Sequence, residues 1–260
     1  MKVTLASSIC LAALAATSFA GDKDCGKVVI ENPCSFYVQA VAGASFFTDG
    51  DLLQEVTLPN GGINKVSFDD VYDDAATYGI RFGRACEKGR IYVGFEYTEA
   101  GGKSTEIGNV IENKVDPTIV GDFGTYSDYG LVLGVERDLF RGHTGGKNPV
   151  IGSKFRPWIG AQVGIRFVDG IDVTTHLVDD YGYVVPGSGS KVSLYDDTLV
   201  FTAAFTFGLA FDLTDRVTIG VESGLRYQTG LDGSDIGIGS ANNDGDLLAI
   251  PVLGTVAIKF

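Results

Sequence analysis

The last residues of the chain alternate strictly between bulky apolar side chains and small or polar ones. Val256, Ile258 and Phe260 fall on one face of an extended chain, and Thr255 and Lys259 fall on the other. Successive side chains of a β-strand point to opposite faces, so this pattern predicts a strand with one apolar face. A strand that meets lipid on one face and a polar interior on the other is typical of a membrane-spanning β-barrel.

The same alternation recurs upstream, with glycine, arginine and glutamate on the face opposite each apolar stripe. A soluble β-sandwich seldom keeps charged side chains on that face, whereas a barrel in lipid turns its bulky apolar residues outward. No segment after residue 20 approaches the length of apolar chain that a membrane-spanning helix needs. The eight predicted strands are 35–47, 75–84, 90–98, 127–139, 156–167, 199–212, 217–228 and 247–260.

Short and long connections alternate almost throughout the predicted strands. This predicts an all-β fold, an up-and-down antiparallel transmembrane β-barrel with both chain ends in the periplasm and long loops outside. The 140–154 link is long where a short one is expected. Ten strands are the alternative, because 52–58 and 63–69 flank a Pro-Asn-Gly-Gly turn that is typical of a hairpin. We interpret that hairpin as standing above the membrane.

The N-terminus indicates export. Lys2 precedes an apolar stretch, and Ser18-Phe19-Ala20 has the small residues of a cleavage site. We therefore predict a signal peptide over residues 1–20, a periplasmic segment over 21–34, and the barrel over 35–260.

The strand pattern, the alternating turns and Phe260 resemble the small eight-stranded outer-membrane barrels typified by the OmpA transmembrane domain, OmpX and Ail. The resemblance covers residues 35–260 and implies the bacterial outer membrane as the location. It implies contact with outer-membrane lipid and lipopolysaccharide, and Phe260 as the signal for the barrel-assembly machinery. Two features depart from the family: no peptidoglycan-binding domain follows the barrel in this sequence, and the 140–154 link is unusually long.

Charged residues are numerous on the predicted lumen face. The interior of an eight-stranded barrel is only wide enough for side chains, and buried charges are costly unless they pair. Arg90, Asp128 and Arg156 also lie on this face. We predict a plugged, static polar core, with a gated narrow pore as the alternative. The expected centre of this ion-pair network is Arg81, Glu96, Glu136, Arg166, Glu222 and Arg226.

Three cysteines follow the predicted cleavage site, which an oxidising periplasm allows to pair. Cys34 opens the first predicted strand and Cys86 follows the second, so antiparallel neighbours bring these two cysteines to the same rim. Cys34–Cys86 is the favoured bridge. Pairing of Cys25 with either partner stays open.

The chain is acidic, with 33 acidic and 20 basic side chains and a net charge of −13. Binding to nucleic acid requires a basic surface, so the sequence excludes nucleic acid as a partner. Aspartates concentrate in the predicted outer loops. Carboxylates suit calcium, but solvated acidic loops are the favoured interpretation, and we expect no metal site and no cofactor.

The functional prediction is a structural or surface-binding protein that acts through its long acidic extracellular loops on an unknown ligand. A narrow porin-like channel for small solutes or cations is the alternative. An enzyme is the third hypothesis and is not expected, because the chain has only two histidines, His143 and His176. His176 lies near Asp179 and Asp180 and would be the centre of any catalytic site.

Overall fold

The computed structural model describes residues 34–53, 56–58, 61–86, 89–110, 117–139, 155–231 and 245–260. The predicted signal peptide, the periplasmic segment up to residue 33 and the whole 140–154 link lie outside these residues. The described part contains one short helix, α1 (Phe68–Val71), and sixteen strands. In chain order these are β1 (Ser35–Asp49), β2 (Asp51–Leu53), β3 (Val56–Leu58), β4 (Gly61–Ile63), β5 (Val66–Ser67), β6 (Ala75–Cys86), β7 (Gly89–Ala100), β8 (Ser104–Val110), β9 (Thr118–Phe123), β10 (Tyr126–Asp138), β11 (Phe155–Val168), β12 (Ile171–Val178), β13 (Ser190–Tyr195), β14 (Thr198–Asp212), β15 (Val217–Leu231) and β16 (Gly245–Lys259).

Eight long strands close into an antiparallel barrel in the order β1-β16-β15-β14-β11-β10-β7-β6. The first and last strands close it, in a register that pairs Tyr37 with Lys259 and Phe47 with Ala249. The prediction of eight strands is confirmed, with ends that differ from the predicted ones by at most three residues. All four long connections therefore emerge at the end of the barrel opposite to the chain termini.

The barrel has an apolar exterior and a polar interior. Along β14, Phe201, Phe205 and Phe207 are exposed, whereas Thr202 and Thr206 are buried. This arrangement inverts that of a soluble protein and is the one that a barrel in lipid requires. Toward the loop end, four aromatic side chains form one row across neighbouring strands, as the girdles of membrane barrels do. They are Tyr78, Tyr97, Tyr129 and Phe167.

No helix among the described residues is both long and apolar enough to cross a membrane.

Three large aromatic side chains inside the barrel lie across glycines of the next strand. A side chain at any of these glycines would enter the space that the ring fills. A Cβ atom on Gly134, for example, would stand 2.1 Å from Cζ of Tyr92. The glycines therefore allow large rings to fill a narrow interior. The cross-strand pairs are Tyr37 with Gly83, Tyr92 with Gly134, and Trp158 with Gly208.

We expect Gly134→Ala to lower the free energy of unfolding by about 2 kcal/mol, because the buried Tyr92 ring must leave its place. Gly254→Ala is the matched control in the same barrel, since the nearest heavy atom to a Cβ there is 3.6 Å away. Urea unfolding of the two variants in lipid vesicles measures the difference. Equal stability of the two would contradict this account of the glycine.

The described parts of the first three long connections contain more regular secondary structure than the sequence suggested. Six short strands form a second sheet outside the barrel, in the order β13-β12-β9-β8-β4-β3, and β2 pairs with β5. The hairpin predicted above the membrane corresponds to β3 and β4, which pair Val56 with Ile63. The ten-strand alternative is wrong, because the strands between residues 51 and 67 all lie outside the closed barrel. We call the six-stranded sheet the outer sheet.

A second apolar core covers the mouth of the barrel beneath the outer sheet. Phe68 and Val71 of α1 are completely buried in it. Ser67 is the N-cap of the helix, and its backbone N–H and hydroxyl both donate to Oδ2 of Asp70. The Tyr195 hydroxyl also donates to the Leu52 carbonyl oxygen at 2.9 Å. We call this core the roof; its main members are Leu52, Leu53, Val66, Phe68, Val71, Tyr72, Phe123, Tyr126, Ile171, Val173, Leu194, Tyr195, Leu231 and Leu247.

Candidate functional site

Three arginines and three carboxylates form a central cluster inside the barrel. Glu96 on β7 is completely buried and accepts hydrogen bonds from Arg81 at 2.9 Å and from Arg226 at 2.7 Å. Arg166 lies 3.5 Å from Glu96 and 2.5 Å from Asp128. Charge-assisted hydrogen bonds of this kind are about twice as strong as neutral ones. The central cluster consists of Arg81, Glu96, Asp128, Arg166, Glu222 and Arg226.

The central cluster crosses the whole lumen. The guanidinium of Arg81 donates to both carboxylate oxygens of Glu222, at 2.6 and 2.9 Å. Arg226 on β15 reaches Glu96 on β7, and those two strands are diametrically opposite in the ring. Gln162 adds a bond to Glu96 at 3.1 Å. Side chains from opposite walls therefore meet in the middle, which is what blocks a barrel of this width.

Glu136 does not join the central cluster, which corrects one part of the predicted network. It pairs instead with Arg90 nearer the chain termini, where Arg156 lies 3.3 Å from Asp138 and 2.9 Å from Asp212. The physical reason is position, because Glu136 is directly opposite Arg90 in the register of β10 and β7. We call this second group the lower cluster; it consists of Arg90, Glu136, Asp138, Arg156, Asp212 and Lys259.

Aromatic rings separate and support the two clusters. The Arg81 guanidinium lies 4.8 Å from the centre of the Tyr92 ring, and that of Arg90 lies 5.5 Å from Trp158. These distances are within the range of cation–π attraction. The rings are those that lie across Gly134 and Gly208, so one packing device both fills the lumen and orients the arginines.

The described lumen is electrically balanced. The two clusters together contain six basic and six acidic side chains, and every one of them takes part in an ion pair. Removing one member of a buried pair leaves its partner uncompensated, which is strongly unfavourable. The interior is therefore neutral although the chain as a whole carries a net charge of −13.

A small cavity of about 10 Å³ separates the central cluster from the roof, and its lining includes Thr98, Arg226 and Leu247. That volume accommodates about one water molecule. Tyr126 links the two layers, because its ring packs in the roof and its hydroxyl donates to Asp128 at 2.7 Å. In the roof itself, burial raises the pKa of the Tyr72 hydroxyl and keeps it neutral.

Cys34 and Cys86 are both disulfide-bonded. The register of β1 and β6 pairs Ser35 with Ala85, so the neighbouring positions 34 and 86 come directly opposite each other. A cross-link there ties the first two barrel strands together at the terminal end. Cys25 lies outside the described residues.

The negative charge of the chain resides in the connections at the loop end. Residues 50–74, 101–125, 169–197 and 232–244 contain 19 acidic and 4 basic side chains. Several of the carboxylates have local partners, such as Asp73 with Lys103 at 3.1 Å and Asp172 with Lys191 at 2.7 Å. The acidic side chains at 55, 112, 116, 232, 235 and 244 lie outside the described residues, and the part of the chain that the structure describes contains no group of metal-ligating side chains.

His176 has a different partner from the one expected. Its Nδ1 lies 3.4 Å from Oδ2 of Asp122 on the neighbouring strand β9, whereas Asp179 is used in the turn that follows β12. Ser104 donates to the same Asp122 carboxylate, not to the imidazole. The serine and histidine therefore do not form the nucleophile–base contact that hydrolytic catalysis needs. His143 lies outside the described residues.

Sequence reasoning left three of the twelve residues of the two clusters out of the predicted lumen charges: Asp138, Asp212 and Lys259. Asp138 and Asp212 lie an even number of residues along their strands from lumen-facing residues, so they are on the same face. This alternation is the sequence signal that could have identified them. Lys259 is likewise on the inner face of β16 and reaches Asp212 at 3.3 Å. The roof has no comparable signal, because its members come from six separate connections and strand ends.

No protein-family model and no curated protein matches the chain. Among solved structures, neisserial surface protein A (NspA) is 16% identical, with a TM-score of 0.43, covering 88% of this chain and 100% of that one. Ail of Yersinia pestis, solved with the heparin analogue sucrose octasulfate, is 10% identical with a TM-score of 0.36, covering 87% of this chain and 97% of that one. The predicted fold is confirmed by the structure itself, since the described strands form a closed antiparallel barrel of eight strands.

Proposed function

We propose that this protein is a closed outer-membrane anchor whose outer sheet binds a partner outside the cell. The barrel supplies a rigid support in lipid, and the acidic connections supply the contact surface. Loops on a rigid scaffold are where binding residues concentrate. In this proposal the protein is a membrane anchor that binds a partner, and it is not an enzyme.

One observation carries this proposal: the lumen is blocked three times along its length. The central cluster crosses the interior, the lower cluster and the Trp158 ring occupy it nearer the terminal end, and the roof covers its mouth. The cavity between the central cluster and the roof accommodates about one water molecule. An ion would have to break several buried ion pairs to pass, and each such break is costly. Function therefore belongs to the exterior of the barrel.

The location and contacts of the barrel follow from the same proposal. The apolar wall contacts outer-membrane lipid, with lipopolysaccharide at the aromatic row that includes Tyr78 and Tyr129. Phe260 is exposed at the terminal end of the barrel and suits recognition by the barrel-assembly machinery. A cleaved signal peptide over residues 1–20 would deliver the chain to the periplasm. The acidic surface disfavours nucleic acid as a partner.

Single-channel recording in planar bilayers tests the closed-anchor role. Folded protein, identified by its heat-dependent shift in gel mobility, is expected to give no discrete conductance steps, while a large porin in the same bilayers conducts. Steps whose ion selectivity changes in Arg226→Gln would contradict the proposal and favour the narrow channel. Arg226 is the diagnostic position because it adjoins both the cavity and the central cluster.

A further inference from the structure

The turn between β12 and β13 of the outer sheet displays two exposed tyrosines. The side chains of Tyr181 and Tyr183 are 85% and 72% exposed, and Val184 beside them is 56% exposed. Tyr181 is more exposed than any large apolar side chain on the described barrel wall. We call residues 179–189 the tyrosine tip.

The tyrosine tip has a defined backbone conformation. Oδ1 of Asp179 accepts hydrogen bonds from the backbone N–H of Tyr181 at 3.0 Å and of Tyr183 at 2.8 Å. The Gly182 N–H donates to the Asp179 carbonyl oxygen at 2.9 Å, and Gly182 adopts a positive φ of 82°. A binding loop that is already ordered loses little conformational entropy when a partner docks.

These bonds hold the turn but leave both rings unpacked. The rings contribute nothing to the roof, whose members include neither Tyr181 nor Tyr183. Tyrosine is over-represented among the residues that dominate binding energy at interfaces. A rigid turn that presents two such rings to water therefore has the form of a contact site.

The negative charge around the tyrosine tip indicates the class of partner that it binds. Residues 169–197 contain six aspartates and a single lysine, and that lysine, Lys191, is paired with Asp172. Asp180 is exposed immediately beside Tyr181. The faces of tyrosine rings attract lysine and arginine side chains, and the surrounding carboxylates attract the same cations over longer distances.

We propose that the tyrosine tip binds a lysine- or arginine-rich polypeptide segment outside the cell, with Tyr181 and Tyr183 as cation–π platforms and Asp180 as an ion-pair partner. This inference rests on the proposed surface-binding function and specifies its site and its partner class. A polypeptide fits better than a small polyamine, because two rings and several carboxylates offer contacts spread along a chain.

The test uses the full-length protein in nanodiscs of phosphatidylcholine and a fluorescein-labelled decamer of arginine as the probe. Binding is measured by fluorescence anisotropy at physiological salt. The double variant Tyr181→Leu/Tyr183→Leu keeps apolar area but removes the rings, and we expect about tenfold weaker binding. The matched variant Tyr181→Phe/Tyr183→Phe keeps the rings and is expected to bind within twofold of the unaltered protein.

Two further variants separate the local carboxylate from general acidity. Asp180→Asn is expected to weaken binding about threefold, whereas Asp196→Asn, at an exposed position outside the tip, is expected to change it much less. Spermine that competes as well as the decamer at equal charge would overturn the polypeptide class. Gel mobility confirms that each variant is folded.

The outcomes distinguish the two proposals. Unchanged binding in the leucine variant overturns the proposal that the tyrosine tip is the binding site. The surface-binding function survives that result if neutralising Asp69 and Asp70 on the outer loops reduces binding. If the unaltered protein does not bind the decamer, the proposal that the tyrosine tip binds a basic polypeptide is also overturned. Conductance steps in planar bilayers would overturn the closed-anchor function itself, whatever the decamer does.

Discussion

Replacing Glu96 with alanine is expected to lower the free energy of unfolding of the barrel by about 5 kcal/mol or more. Three arginines, Arg81, Arg166 and Arg226, lie within 3.5 Å of this one carboxylate, and all four side chains are buried. Breaking a single buried ion pair costs about 3–5 kcal/mol, because the remaining charge is left uncompensated. Urea unfolding in lipid vesicles, followed by gel mobility, measures the loss.

Glu99 provides the control on the same strand. It is exposed, its partner in the structure is the Tyr97 hydroxyl at 2.9 Å, and Glu99→Ala is expected to cost less than about 1 kcal/mol. Adding Arg226→Leu to the Glu96→Ala background removes one uncompensated charge and is expected to recover part of the stability. A Glu96→Ala barrel as stable as the Glu99→Ala barrel would refute the view that the central cluster supports the fold.

Glu136→Ala is expected to lower the free energy of unfolding by about 3 kcal/mol, through the lower cluster alone. Its loss leaves Arg90 buried against Trp158 without its carboxylate. The loss of stability is smaller than at Glu96 because Glu136 pairs with one arginine, whereas Glu96 pairs with three. The same urea titration compares the two variants directly.

A double variant makes the second prediction sharper. Arg90→Leu/Glu136→Leu replaces the whole pair by apolar side chains, and such replacements of buried ion pairs are often neutral. Most of the lost stability should therefore return. If the double variant were less stable than Glu136→Ala, the pair would contribute favourably beyond mere compensation, and our explanation of the single variant would be wrong.

The barrel was predictable because its signal is local and repeated. Each strand places apolar side chains at every second residue, so the outward faces of β6, β14 and β16 follow from the sequence without knowledge of the partners. Closure at eight strands follows because segments 52–58 and 63–69 lack that alternation. The membrane environment keeps this pattern strict, since lipid contacts every outward position.

The sequence predicts that the charged residues in the lumen form ion pairs, but it does not predict which residues pair with each other. The sequence places Glu96 and Glu136 on the same face, but it does not say which arginine each one meets, because that depends on barrel width and strand stagger. The roof and the outer sheet were missed for a related reason. Phe68, Leu194 and Leu231 come from distant connections, and no period in the sequence joins them.

The central cluster joins strands on opposite sides of the ring, and this has a consequence for the assembly of the barrel. Arg81 meets Glu222 and Arg226 meets Glu96 across the ring, and the partners are 141 and 130 positions apart in the sequence. A sheet that has not closed cannot form these two pairs, so Glu222 and Arg226 lack their partners across the lumen until β1 meets β16. Pairs between neighbouring strands, such as Arg90 with Glu136, need no closure. Closure of the ring therefore completes the pairing of the central cluster together with the hydrogen bonding between the first and last strands, and each of the two stabilises the closed barrel relative to an open sheet.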